Sequence, residues 1–229
     1  MSCDASLSEH KRPAISRPRI ENLSDLVFGL ALSISALSLL SKPPTTPAEF
    51  QGDLLAFAFS FLILISVWAS YTRVMSVLPI ETGTTLLLNY LMLLLVAFEP
   101  YLLYLVNQFG DITQNQLVND ASVVYALDMG GLMAILAFFH HALSVEERGL
   151  IPQQLIGQQK RARNVFFISA GLFFLTILPQ FWSWHIGNMP MRFYLWFVPL
   201  IIAYISRGVS ARRGSIGDAL PNDSSSRGR

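Results

Sequence analysis

The sequence predicts an all-α integral membrane protein with six transmembrane helices per subunit. Two observations of composition and one of pattern carry this prediction. Hydrophobic residues make up 52% of the 229 residues and charged residues only 14%, whereas soluble globular chains carry about 25% charged residues. The mean hydropathy is +0.46. Six apolar stretches recur, near residues 22–40, 54–76, 84–106, 122–143, 164–184 and 192–207. Each approaches the ~20 residues that cross roughly 30 Å of hydrocarbon.

The links between these stretches are rich in turn formers and polar residues: "SKPPTTPAEFQGD", "VLPIETG", "NQFGDITQNQLVND", "SVEERGLIPQQLIGQQKRAR" and "HIGNMP". Proline and glycine gather there, as chain breakers do. The polar, Ser/Arg-rich ends, residues 1–18 and 208–229, are expected to be disordered cytoplasmic tails around a membrane domain spanning 19–207. With the N-terminus placed inside, fourteen of the 16 Lys and Arg residues fall on inner segments, and only Lys42 and Arg192 on outer ones. That asymmetry puts both termini in the cytoplasm of a multi-pass protein of the cell membrane, and it requires an even number of spans. A signal peptide is the other reading of the first stretch, but its apolar core is long for one.

Composition also excludes functions. A net charge of +1 carries no nucleic-acid signature. Lone Cys3 permits no intrachain disulfide. Four scattered histidines give no zinc spacing, and His140, His141 and Glu146 lack the further ligand or nucleophile a membrane enzyme would use. No metal, no cofactor and no catalytic role is expected.

Polar groups inside the spans each need a reason, because they are costly in lipid. Asp25 lies about one turn into the first span, six residues beyond Arg19. The second span runs in the opposite direction, so Trp68 and Tyr71 sit at the depth of Ser24 and Asp25. An indole N–H and a phenol O–H suit a buried carboxylate. A hydrogen-bonded knot of Arg19, Ser24, Asp25, Trp68 and Tyr71 is one reading. The other leaves Asp25 as a first-turn acid stabilised by the helix dipole. Glu99 and Asp128 either attract cations or bond to neighbouring helices, and no feature of the sequence turns them towards water. Pro100, Pro179 and Pro199 are expected to kink their spans. Trp182, Trp184, Phe193, Tyr194 and Trp196 read as an interfacial aromatic belt.

Helical spacing from Leu30 selects Leu30, Ser33, Ile34 and Leu37, and extends back to Leu26 and Asp25. This face has an acid at its inner mouth and branched aliphatics with one hydroxyl above it. A pore-lining helix and a lipid-facing one share that pattern, since serines also serve close helix packing.

Three motifs resemble the transmembrane protein 175 family of potassium channels. Arg19, three residues, then Leu23-Ser24-Asp25 is similar to the family's Arg-x-x-x-Phe-Ser-Asp, with leucine for phenylalanine. "FLILISVWASYTRV" has the family's tryptophan, Trp68, but carries Tyr71 where the family has histidine. "LLLNYLMLLLVAFEPYL" is similar to the third span, through Asn89, Pro100 and Tyr101. The resemblance covers residues 19–105. It implies six spans per repeat and four repeats around a pore, hence a homotetramer of this single-repeat chain in a lipid bilayer, passing K+ and other monovalent cations. It implies that the first span lines the pore. The bottleneck is then Leu30, the hydroxyl layer Ser33, and the next apolar layers Ile34 and Leu37. No carbonyl-ladder "TVGYG" occurs; a ring of four leucines would close such a pore by dewetting, and a selectivity that rests on K+ shedding water at lower cost than Na+ is expected to be modest.

The competing reading is a small secondary transporter, proton-coupled through Asp25, Glu99 or Asp128. It calls for an inverted repeat and paired broken helices, and neither is evident. The Tyr71 departure sets a difference from the family. Histidine titrates near neutral pH, whereas unperturbed tyrosine titrates only at about pH 10. Any pH response routed through this position is therefore expected to be absent here. Currents from the native protein and from Tyr71→His, recorded between about pH 5 and 8, should diverge; matching profiles would remove position 71 from gating.

Overall fold

Hydrocarbon offers no water to an unpaired backbone amide, so apolar stretches of this length fold as helices. In the computed structural model, residues 17–41, 43–78, 83–108, 116–145, 152–187 and 189–202 are described. They form α1 (Arg17–Ser41), α2 (Pro47–Met75), α3 (Gly83–Gln108), α4 (Gln116–Ser144), α5 (Gln153–Leu175), α6 (Gln180–Ser183), a two-residue hairpin of β1 (His185–Ile186) and β2 (Met189–Pro190), and α7 (Met191–Leu195). After a turn at Trp196 the apolar helix resumes and reaches Ile202. Among the described residues three helices are long and apolar enough to cross a membrane: Glu49–Met75, Gly83–Val106 and Gln116–Ser144. The first and last apolar stretches give shorter apolar helices, Asn22–Leu37 and Met191–Ile202. The two polar tails, apart from the start of α1, and the end of the sixth stretch lie outside the described residues.

Local chemistry sets the helix ends. At the start of α2, Thr46 Oγ1 accepts from the Glu49 amide (3.2 Å), and the Glu49 carboxylate accepts from the Thr45 amide (2.7 Å) and hydroxyl (2.8 Å). Pro47 follows the cap, where its missing N–H costs nothing. α3 continues across Pro100. The fifth stretch differs from expectation: its helix starts eleven residues earlier, at Gln153, and stops at Leu175 rather than running to 184. Hydropathy detects only the apolar part of α5, and the preceding polar residues continue the same helix. At the other end Thr176 caps α5, its hydroxyl bonding the Phe173 carbonyl (2.7 Å), and Pro179 has no N–H to donate back to the Leu175 carbonyl, so a new short helix begins after it.

α4 is the central element. It packs between α3 and α5, while α1 lies on α2 and α3. The buried core runs through Phe28, Leu64, Met92, Tyr125, Leu136 and Phe173. Gly130 allows the close α4–α5 approach: a Cβ there would fall 2.5 Å from Phe174 Cε1.

One charge assigned to an outer link proves to be a structural hub. Arg192 is buried, with 1% of its surface exposed. Its guanidinium donates to the Thr176 carbonyl (2.7 Å), Asn119 Oδ1 (3.0 Å), Ser122 Oγ (2.6 Å) and the Ile177 carbonyl (3.3 Å), and it sits 5.4 Å from the Trp182 ring centroid. It thereby joins the start of α4 to the end of α5 and to α6 and α7. The aromatic belt is accordingly split. Trp184 and Tyr194 are exposed, but Trp196 is core: it stacks edge-on against Phe193 and tilted against Tyr125, and its indole N–H reaches Thr176 Oγ1 (3.3 Å).

Candidate functional site

α1 has two faces, and helical spacing separates them. Ser24, Phe28, Ala31 and Ser35, at steps of four, three and four, are buried against α2 and α3. The opposite face carries Leu26, Leu30, Ser33, Ile34 and Leu37. Its large apolar residues are exposed: Leu26 at 68%, Leu30 at 58%, Ile34 at 43% and Leu37 at 61%. Ser33 also lies on this side, and its hydroxyl donates to the Gly29 carbonyl one turn earlier (2.8 Å).

The buried face is held by two hydroxyl relays. In the first, Tyr71 Oη donates to Asn89 Oδ1 (2.7 Å) and lies 2.6 Å from Ser24 Oγ. A phenol has one hydrogen, and the Asn89 oxygen takes it, so Ser24 must be the donor to Tyr71. The relay runs from Ser24 on α1 through Tyr71 on α2 to Asn89 on α3. In the second, Ser60 donates to Glu99 Oε2 (2.9 Å) and lies 3.0 Å from Ser35 Oγ. The same reasoning runs this relay from Ser35 through Ser60 to Glu99, again linking α1, α2 and α3. Its members are eleven residues from their counterparts on α1 and α2, and ten on α3. Three helical turns take about 10.8 residues, so both relays emerge from one face of α1 and of α2 and from neighbouring faces of α3, about 16 Å apart along the bundle.

A third contact lies beside the first relay. Trp68 Nε1 donates to Asp25 Oδ1 (2.9 Å), at the edge of the bundle rather than inside it. The structure thus brings Ser24 to Tyr71 and Asp25 to Trp68, as two separate pairs. The side chain of Arg19 lies outside the described residues, so the knot is described without it. Phe28 closes the gap between the relays, its ring 5.9 Å from that of Tyr71.

Sequence reasoning did not bring Asn89 or Ser60 into this arrangement. Asn89 served only as a family landmark, and Ser60 was one serine among several. Their signal was present as the shared spacing on three helices. Glu99 is fully buried, bonded to Ser60 and adjacent to Tyr125 of α4. Asp128 is buried one turn further along α4. His140 lies at the far end of α4, its Nδ1–H donating to Gln159 Oε1 (2.6 Å) with its ring stacked on Phe166. Among the described residues no group of three His, Cys, Asp or Glu side chains is arranged to hold a metal ion.

The two pairs should differ in energetic weight. Tyr71→Phe removes the donor to buried Asn89 and the partner of Ser24, and should cost about 1–2 kcal/mol. Trp68→Phe removes one bond to an exposed carboxylate and should cost a few tenths, about 0.5 kcal/mol. Thermal unfolding of the two variants in detergent checks the order; a larger loss for Trp68→Phe would contradict the relay.

The family described as endosomal/lysosomal potassium channel TMEM175 has a sequence profile that matches residues 19–100, the segment that contains most of α1, all of α2 and both relays. No curated protein matches the chain. Among solved structures, the fold is similar to the crystal structure of a lysosomal potassium-selective channel TMEM175 homolog from Chamaesiphon minutus. The TM-score is 0.56 at 19% identity, over 83% of this chain and 97% of that one. The long apolar helices make this a multi-pass membrane protein. Residues 19–100 thus match the TMEM175 family model, and the fold of the chain is similar to that of a TMEM175 homologue.

Proposed function

We propose that the chain is a potassium-permeable channel: a homotetramer of six-span subunits in the cell membrane, with both termini cytoplasmic and α1 lining a central pore. The observation that carries this reading is the stripe of Leu26, Leu30, Ile34 and Leu37, left uncovered on a helix whose opposite face is pinned at two heights. A second copy of the same stripe, related by rotational symmetry, is its natural cover. Four copies would bring four Leu30 side chains to one level. A ring of leucines excludes water when narrow, so dewetting sets the barrier and a small outward movement of α1 removes it. Asp25, outside this constriction, marks the mouth of the path with negative charge.

Ser33 supplies the polar layer. Its single hydrogen is used on the Gly29 carbonyl, which leaves the oxygen lone pairs to face a cation. Four such oxygens replace part of a hydration shell, and K+ gives up its water at lower cost than Na+. Selectivity of this kind is modest because no rigid carbonyl ladder enforces it. Glu99 and Asp128 stay out of the path in this reading, since both are buried within the subunit on the far side of α1's contacts.

Reconstitution in liposomes under a potassium gradient tests the proposal. Native protein should pass a K+ current with a modest preference over Na+, and Leu30→Ala should increase it at least about tenfold by widening the dewetted level. Saturable flux that depends on a co-substrate would indicate a transporter instead, and silence in both proteins would end the channel reading.

A further inference from the structure

A cavity of about 470 Å³ lies on the side of the bundle away from α1, between α2, α4, α5 and the helix that follows α7. Its walls change character along the helix axes. One end is formed by Arg73, His140, Gln158 and Arg161. Ile63 lies ten residues back along α2, about 15 Å deeper. Met133 is about 10 Å deeper on α4, and Phe173 about 18 Å deeper on α5. Three helices therefore deliver cationic or polar groups to the same end and apolar groups to the other, where Pro199 and Leu200 complete the wall. Ser66 and Ser70 stand between the two zones on α2.

We propose that this cavity is a binding site for an anionic glycerophospholipid. The guanidinium groups of Arg73 and Arg161 would hold the phosphate diester, the serine hydroxyls would meet the glycerol ester region, and one acyl chain would fill the space beside Ile63, Met133 and Phe173. The order of groups matches the order in the lipid. An arginine pair suits a phosphate oxygen pair better than a lone lysine would, and basic pockets between membrane helices take such headgroups. The occupant is a lipid rather than a soluble anion because the end of the cavity beside Ile63, Met133 and Phe173 is apolar, and Ile63 and Met133 lie within the membrane-spanning parts of α2 and α4.

The test uses the full-length protein in mild detergent, offered equal amounts of phosphatidylglycerol and phosphatidylcholine with identical chains, with retained lipid read by native mass spectrometry. Phosphatidylglycerol should be retained about tenfold over phosphatidylcholine. Arg73→Gln with Arg161→Gln should abolish the preference, and Ser66→Trp, which fills the middle of the cavity, should remove both lipids. If the double variant does not fold, Arg161→Gln alone, at an exposed position two turns into α5, should lower the preference about threefold. Excess inorganic phosphate should leave the lipid in place; displacement by phosphate would make this a free-anion site and overturn the proposal. Equal retention of the two lipids, a preference that survives loss of the arginines, or retention unchanged in Ser66→Trp would overturn it as well.

Discussion

The arrangement depends on two polar relays crossing an apolar interface. Ser24–Tyr71–Asn89 and Ser35–Ser60–Glu99 each join α1, α2 and α3. In lipid these groups find no replacement partner in solvent, so they meet only when all three helices hold one register. Each interhelical bond contributes about 0.6 kcal/mol, at most about 1.7. That is small beside the apolar contacts of Phe28, Ile63, Leu64, Met92 and Val96 in the same interface. The apolar contacts supply stability but tolerate sliding and rotation. The relays discriminate: a slip of one turn, or a rotation of α1 by a third of a turn, unpairs both at once. Having two of them three turns apart also fixes tilt, which one alone would not.

This constraint reaches the other side of α1. With Ser24, Phe28, Ala31 and Ser35 turned inward, the 3.6-residue period leaves Leu26, Leu30, Ser33, Ile34 and Leu37 outward. Moving this stripe in a gating step means either rotating against both relays or carrying α2 and α3 along. Arg192 secures the other part of the subunit, where it joins α4 to α5, α6 and α7.

Much of the first three helices was legible in the sequence because helical rise is uniform. Counting residues along antiparallel spans puts Ser24 and Asp25 at the depth of Trp68 and Tyr71, and spacing from Leu30 gives one face. Depth alone does not tell which side chain turns to which, so the knot separates in the structure into a buried pair and an edge pair. Asn89 and Ser60 escaped notice because single polar residues in apolar runs look alike until their spacings on three helices are compared. Arg192 was hidden for another reason: two of its partners are the carbonyls of Thr176 and Ile177, freed by the end of α5, and backbone acceptors leave no mark in a sequence. The extent of α5 was misjudged because hydropathy records where a helix is apolar, not where it is helical.

The central claim is that the outward stripe of α1 faces an ion path and not lipid. Substituted cysteines in a Cys3→Ser background test it, with a charged, water-soluble thiol reagent applied while K+ current is recorded. Leu37→Cys should react and lose current, whereas Ala31→Cys, on the buried face between the two relays, should not. A Leu37→Cys channel that conducts unchanged in the reagent, or block at Ala31→Cys in its place, would contradict the account.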